Sequence, residues 1–191
     1  MARDLSTSRR SVMWAYVGGS LLLAVGMSVT GNYVSLDEPD GLIAEVVPAL
    51  AAWSWGTGVA VLCFWLHYLA CRMCYRRFIL ERPQRPEAVL FAMLCLAAMH
   101  VGQMSLWGVA MYVADDLMGL GEITGETKGA FIDYLNFSMA TYTSLGLGDI
   151  TPTGWLKVLT GIETLTGLLC IGWSVSMFVG KMGTFLGDPE G

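Results

Sequence analysis

Residues 143–149 read Thr143-Ser144-Leu145-Gly146-Leu147-Gly148-Asp149: glycine at alternate positions, hydroxyls at the start and a carboxylate at the end. The chemistry open to such a run belongs to its backbone. A strip of carbonyl oxygens facing a common axis can stand in for the water around a cation, and glycine is needed where a Cβ would forbid the required φ. A dinucleotide site is excluded, because a third glycine and a soluble βαβ setting are both missing. The other chemistry-bearing side chains are His67, His100, Gln103 and Glu163, together with the pair Cys71-x-x-Cys74. A metal or redox centre on those thiols needs a second ligand pair that the sequence lacks, so buried or lipid-facing thiols are the plainer reading. Cys63, Cys95 and Cys170 also fall in apolar stretches, and no disulfide framework is implied.

The elements that must position these residues are strongly apolar. The chain has 191 residues, of which 54% are hydrophobic, beyond the composition of an ordinary soluble domain. Four stretches, at 12–34, 47–70, 89–114 and 156–179, each reach the roughly 20 residues that about 30 Å of hydrocarbon demands. The first three contain no Lys, Arg, Asp or Glu, whereas the fourth carries Lys157 near its edge and Glu163 within. Arg3, Arg9 and Arg10 precede the first stretch, and Arg72, Arg76, Arg77, Arg82 and Arg85 separate the second from the third. The intervening segments are acidic, with Asp37, Glu38, Asp40 and Glu45 on one side and Asp115, Asp116, Glu122, Glu126 and Asp133 on the other. The positive-inside bias then puts both termini in the cytoplasm of a multi-pass protein of the plasma membrane, in a bacterium the inner membrane. A cleaved signal peptide is set aside, because the first apolar run exceeds a signal core and no small-x-small site follows it. The net charge of -5 gives no reason to expect a nucleic-acid partner. Membrane lipid is the expected surrounding.

Position within the stretches sorts the polar residues. Pro83 and Pro86 make the connector between stretches two and three a short turn, so these two are adjacent. His100 and Gln103 are three apart and share a helical face. They read either as a functional ionisable pair or as neutral hydrogen-bonding groups tying the third stretch to a neighbour. Glu163 lies roughly 13 Å into the fourth stretch. A carboxyl at that depth needs a partner or a proton, and Gln103, His100, Trp107 or a hydroxyl in 130–142 could supply the partner, locking the stretch behind 143–149. Residues 117–128, rich in Gly and Thr, read as an outer loop. Residues 130–142 are then too short to span, and such a segment is tolerated at membrane depth only where it is buried in protein or lines a water-filled cavity.

The run Phe137-Ser138-Met139-Ala140-Thr141-Tyr142 followed by Thr143 to Asp149 and Ile150-Thr151-Pro152 resembles the pore helix and selectivity filter of the potassium channel superfamily. The signature T-V-G-Y-G-D stands here as Ser144-Leu145-Gly146-Leu147-Gly148-Asp149. Residues 162–174, with Glu163 and Gly172-Trp173-Ser174, add a likeness to bacterial members with four spans and a single pore loop. The fold class so implied is an all-α multi-pass membrane protein: four transmembrane helices with a re-entrant pore helix and filter between the third and fourth. Residues 1–88 would form a two-span region with its cytoplasmic connector, 89–182 the pore domain, and 183–191 a short cytoplasmic tail without room for a soluble ligand-binding domain.

The resemblance further implies a homotetramer that conducts potassium passively. Potassium ions would sit between the carbonyls of Ser144, Leu145, Gly146 and Leu147, with the Ser144 hydroxyl joining them, and Asp149 would bond toward the pore helix. The permeant ion is the only small species implied; no cofactor and no catalysis are. Leu147 replaces the usual tyrosine, whose hydroxyl would tie the filter to its cuff, and this leaves a weakly selective monovalent cation channel as the alternative. On the fourth stretch Leu169, Gly172, Trp173 and Ser176 are spaced to face a central cavity, and Gly167 and Gly172 are hinge or close-packing positions. A non-conducting membrane partner protein is the reading from a different class, disfavoured by the joint occurrence of short helix, glycine-spaced run and following apolar stretch.

Overall fold

The computed structural model describes residues 39–80 and 86–185. The first apolar stretch, 12–34, and the tail from 186 lie outside the described residues. Helix α1 runs Pro39–Cys74 and is followed by a π-helical turn, Tyr75–Leu80; α2 is Pro86–Asp116, α3 Phe131–Tyr142 and α4 Leu156–Phe185. Two short strands, β1 (Ile123–Gly125) and β2 (Ile150–Pro152), flank α3.

The two prolines that open α1 and α2 occupy first helical positions, where the missing N–H removes no bond. Pro48, expected to start the second stretch, lies inside α1. A single proline removes one helical hydrogen bond, and the apolar residues on both sides carry the helix through it. Contacts divide the chain into two compact units, Met1–Ser54 and Trp55–Gly191, a division that falls within α1 whereas the sequence suggests one near residue 88. In the first unit, Ser54 donates to the Leu50 carbonyl at 2.6 Å, which satisfies its hydroxyl within the helix.

In the second unit α2 is the hub, packed against both α3 and α4. Its buried stripe includes Ala92, Leu96, Gln103, Trp107 and Ala110, and that of α4 includes Leu159, Glu163, Thr166, Cys170 and Ser174. On α1 the buried positions Cys63, His67, Cys71 and Cys74 recur every three or four residues. Polar groups therefore lie on the packed seams, while large apolar side chains such as Phe91, Leu94, Val101 and Leu168 point outward. This inverts the soluble pattern and suits helices surrounded by lipid. Among the described residues three helices are long and apolar enough to cross a membrane: Glu45–Arg77, Glu87–Asp116 and Leu156–Val179. All five cysteines are free thiols, and Cys71 and Cys74 pack against Ala92, Leu96, Met177 and Phe178.

The loop after α2 is more ordered than its Gly/Thr composition suggests. Strands β1 and β2 pair antiparallel in the register Ile123↔Pro152, Thr124↔Thr151 and Gly125↔Ile150. The ladder extends at both ends, with Glu126 N–H donating to the Asp149 carbonyl at 2.9 Å and Thr153 N–H to the Glu122 carbonyl at 2.8 Å. Helix α3 has only 12 residues, about 18 Å at 1.5 Å each. Its N-terminus is held by Asp133, whose Oδ2 accepts from the backbone N–H of Lys128 at 2.8 Å and of Ala130 at 3.0 Å. A carboxylate there meets both unpaired donors and the positive end of the helix dipole. Tyr134 donates to Asp115 at the end of α2, and its ring meets Tyr112 edge-on at 5.4 Å. Asp115 and Asp133 are therefore committed to packing, whereas Asp116, Glu122, Glu126 and Asp149 are exposed at this end.

Candidate ion-conduction site

Residues 143–149 leave the C-terminal end of α3 and run back to β2. Three of them have positive φ, and they alternate: Ser144 at 55°, Gly146 at 55° and Gly148 at 81°. In an extended strand successive carbonyls point to opposite sides; switching every second residue into the left-handed region turns the peptide planes so that neighbouring carbonyls can share a side. Glycine takes this conformation freely, and at Ser144 a Cβ takes it at a cost. The N–H groups are turned the other way: Ser144 N–H donates to the Thr141 carbonyl at 2.9 Å, while Leu145 and Gly146 N–H share the Ala140 carbonyl at 2.8 Å and 3.3 Å. Among the described residues no backbone donor reaches the carbonyls of Ser144, Leu145, Gly146 or Leu147. The amides of Thr143 to Gly146 are thus tied to α3, and the oxygens from Ser144 to Leu147 are left available.

The hydroxyls are ordered to the same effect. Thr143 donates to the Met139 carbonyl at 2.7 Å, closing the helix end, and Ser144 donates to the Thr143 carbonyl at 2.7 Å, so the Ser144 lone pairs stay outward. The segment is exposed throughout, Leu145 to 65% and Leu147 to 67%. Behind it a cavity of about 60 Å³ is lined by Asn136, Phe137, Leu147 and Asp149, among others. Asp149 Oδ1 accepts from the Ile150 N–H at 3.0 Å, where β2 begins.

The seam behind this segment carries the residues singled out for their depth. Glu163 and Ser138 are hydrogen-bonded through Glu163 Oε1, which realises the hydroxyl partner on 130–142, and Ser138 Oγ also meets the Met104 carbonyl at 2.7 Å. One hydroxyl proton faces two acceptors, and a carboxyl carrying its own proton resolves the conflict. Glu163 Oε2 is buried with no hydrogen-bond partner among the described residues, as befits a neutral acid rather than a carboxylate. Gln103 donates to the Cys63 carbonyl at 2.9 Å and accepts from the Tyr142 hydroxyl at 2.7 Å. His100 lies 3.0 Å from the Tyr142 hydroxyl through Nδ1 and 3.0 Å from Ser174 Oγ through Nε2. His100 and Gln103 thus converge on Tyr142, while Glu163 sits apart with Ser138.

Of the α4 positions, Leu169, Gly172, Trp173 and Ser176 lie on its exposed face, though the Trp173 ring also leans on His67 at 5.7 Å. Gly167 is a packing position, since a Cβ there would collide with the Tyr142 carbonyl. Tyr142 and Ser174 hold roles that the motif does not assign them, and His67, singled out only as a chemistry-bearing side chain, joins them. The signal for Tyr142 is its place at the last helical position before the glycine-spaced run. For His67 it is the four-residue spacing from Cys63 and Cys71, which puts all three on one face.

A family model described as ion channel matches residues 100–183. That match takes in half of α2, the ribbon, α3, the alternating segment and nearly all of α4. Residues 100–183 form an ion-channel pore domain of the potassium channel superfamily. The chain is a membrane protein. No curated protein and no solved structure matches it.

Proposed function

We propose that the chain is a potassium channel in which four copies surround one axis and pass the ion between the carbonyls of Ser144, Leu145, Gly146 and Leu147, assisted by the Ser144 hydroxyl. The observation that carries this reading is the alternation of positive φ at Ser144, Gly146 and Gly148, with the amides of Thr143 to Gly146 bound to α3 and the oxygens unclaimed. One strip of carbonyls cannot enclose a cation, and the exposure of Leu145 and Leu147 is what a segment waiting for neighbouring copies would show. The C-terminal end of α3 points its partial negative charge toward the entry to the strip, which favours a cation. In this reading α3 and the following segment form a re-entrant loop between α2 and α4, the ribbon faces outside, and the Arg72–Arg77 end and both termini face the cytoplasm of a bacterial inner membrane. Leu169, Gly172, Trp173 and Ser176 face the cavity.

Purified protein reconstituted into liposomes under a potassium gradient tests it. Potassium flux that Gly146→Ala abolishes is expected, since an alanine at that φ is strained and its Cβ intrudes beside the ion sites. Intact protein without flux, or a stable monomer by mass measurement, would overturn it. Leu147 lacks a hydroxyl with which to brace the strip, and this favours a weaker sodium exclusion than a tyrosine would give.

A further inference from the structure

The seam between α1, α2, α3 and α4 holds a single run of hydrogen bonds whose direction can be deduced atom by atom. It starts at the Cys63 carbonyl, which can only accept, so the Gln103 group 2.9 Å away is its amide nitrogen and the Gln103 oxygen faces Tyr142. The Tyr142 hydroxyl, 2.7 Å from that oxygen, must give it its one proton. His100 Nδ1, 3.0 Å from the same hydroxyl, is then the donor, and in a neutral ring His100 Nε2 is bare. Ser174 Oγ at 3.0 Å therefore donates to His100 Nε2, and His67 Nε2, 3.2 Å from Ser174, donates to Ser174. His67 Nδ1 is left as a bare nitrogen, buried, with no hydrogen-bond partner among the described residues.

We propose that His67 is the positioning residue of the conduction site: its Nε2–H tautomer orders the run that holds Tyr142, and its vacant Nδ1 is where a proton enters to release it. The inference rests on the channel reading for its consequence, though not for its geometry. A proton on Nδ1 creates an N–H with no acceptor in a buried place, which costs free energy that the packed arrangement can escape only by moving the ring. His100 cannot take the proton instead without turning the Ser174 hydroxyl away. The two rings are 5.2 Å apart, so one positive charge is the limit for the pair. Loss of the His67–Ser174 bond leaves Ser174 and His100 without their ordering donor, and Tyr142, the last residue of α3, loses its anchor immediately before the strip.

Among the described residues the groups around His67 supply no counter-charge. On α1, Cys63 and Cys71 lie one turn to either side, and Arg72 is exposed beyond them. Helix α2 presents His100 and Gln103, and α3 presents Tyr142. Helix α4 presents Ser174 and Trp173, with Cys170 one turn along. Its carboxyl Glu163, about two turns past Cys170, is engaged with Ser138.

His67 and His100 are the two histidines of the chain, so nitrogen-15 NMR of histidine-labelled protein in lipid has two rings to resolve. At about pH 8 one ring protonated at Nε2 and the other at Nδ1 are expected; both rings in the same tautomer would overturn the proposal, whatever the flux. In liposomes, potassium flux should fall by about tenfold or more between about pH 8 and about pH 4. His67→Gln retains a donor for Ser174 and cannot take up a proton, so its flux should persist and become flat over that range. An unchanged pH profile in His67→Gln would overturn the proposal. Should that variant fail to assemble, the tautomers of the native protein decide.

Discussion

The backbone carbonyl of Tyr142 lies so close to Gly167 that no side chain fits between α3 and α4 at that point. The carbonyl is at the end of α3 and cannot move without carrying Thr143 and Ser144 with it. The contact therefore sets how far the alternating segment stands from α4.

Gly167→Ala should accordingly cost about 1–3 kcal/mol by forcing the helices apart, read as a lower thermal midpoint of the purified protein. Alanine at Gly172, where an added Cβ meets nothing within 4 Å, should leave the midpoint unchanged. Equal effects at the two positions would remove the close contact as the cause and restore a hinge reading for both.

A neutral Glu163 predicts that glutamine is a good replacement, because its amide nitrogen keeps the donor to Ser138 that leaves the Ser138 proton for the Met104 carbonyl. Glu163→Leu should cost roughly 1 kcal/mol through the lost bond to Ser138, whose hydroxyl keeps only the Met104 carbonyl. Infrared difference spectra of the native protein and Glu163→Gln should show the loss of a protonated carboxyl band. Loss of an ionised carboxylate band instead would mean that the buried acid is charged.

Leu147 borders the cavity of about 60 Å³ shared with Asn136 and Asp149. Leu147→Tyr places a hydroxyl beside these polar groups and should preserve or tighten the preference for potassium over sodium, measured by reversal potentials in bilayers. A mutant that discriminates less well would argue that this segment is not the filter.

Tyr134→Phe deletes the bond to Asp115 that ties α3 to the end of α2, at about 1–2 kcal/mol. Burial, and then the bond to Asp115, hold the Tyr134 phenol above its usual range. A raised value means the stabilisation is fully present below the ordinary tyrosine range and lost as pH rises through the folded one. The difference in unfolding midpoint between the native protein and the phenylalanine variant should therefore be constant from about pH 6 to about pH 9 and narrow only in stronger alkali.

The helices were legible because lipid asks one question of a span, whether about 20 residues are apolar, and 47–70, 89–114 and 156–179 answer it directly. Glu163 could be narrowed to a few partners because a buried acid has few ways to be satisfied, and Ser138 is one of those foreseen. Tyr142 was not legible. It ends a short helix in an otherwise ordinary way, and its partners His100 and Gln103 lie some 40 residues away, beyond any local pattern. The pairing of Ile123-Thr124-Gly125 with Ile150-Thr151-Pro152 escaped for another reason: three residues are too few to show the alternation that marks a strand.

That pairing has a topological consequence. By joining Glu122 to Thr153 at 2.8 Å, the ribbon ties the chain into a closed ring whose contents are the short helix and the carbonyl strip. The two ends of the ring meet at one spot, so the whole cassette could be excised and grafted across a gap hardly wider than a single residue, carrying its own framework with it.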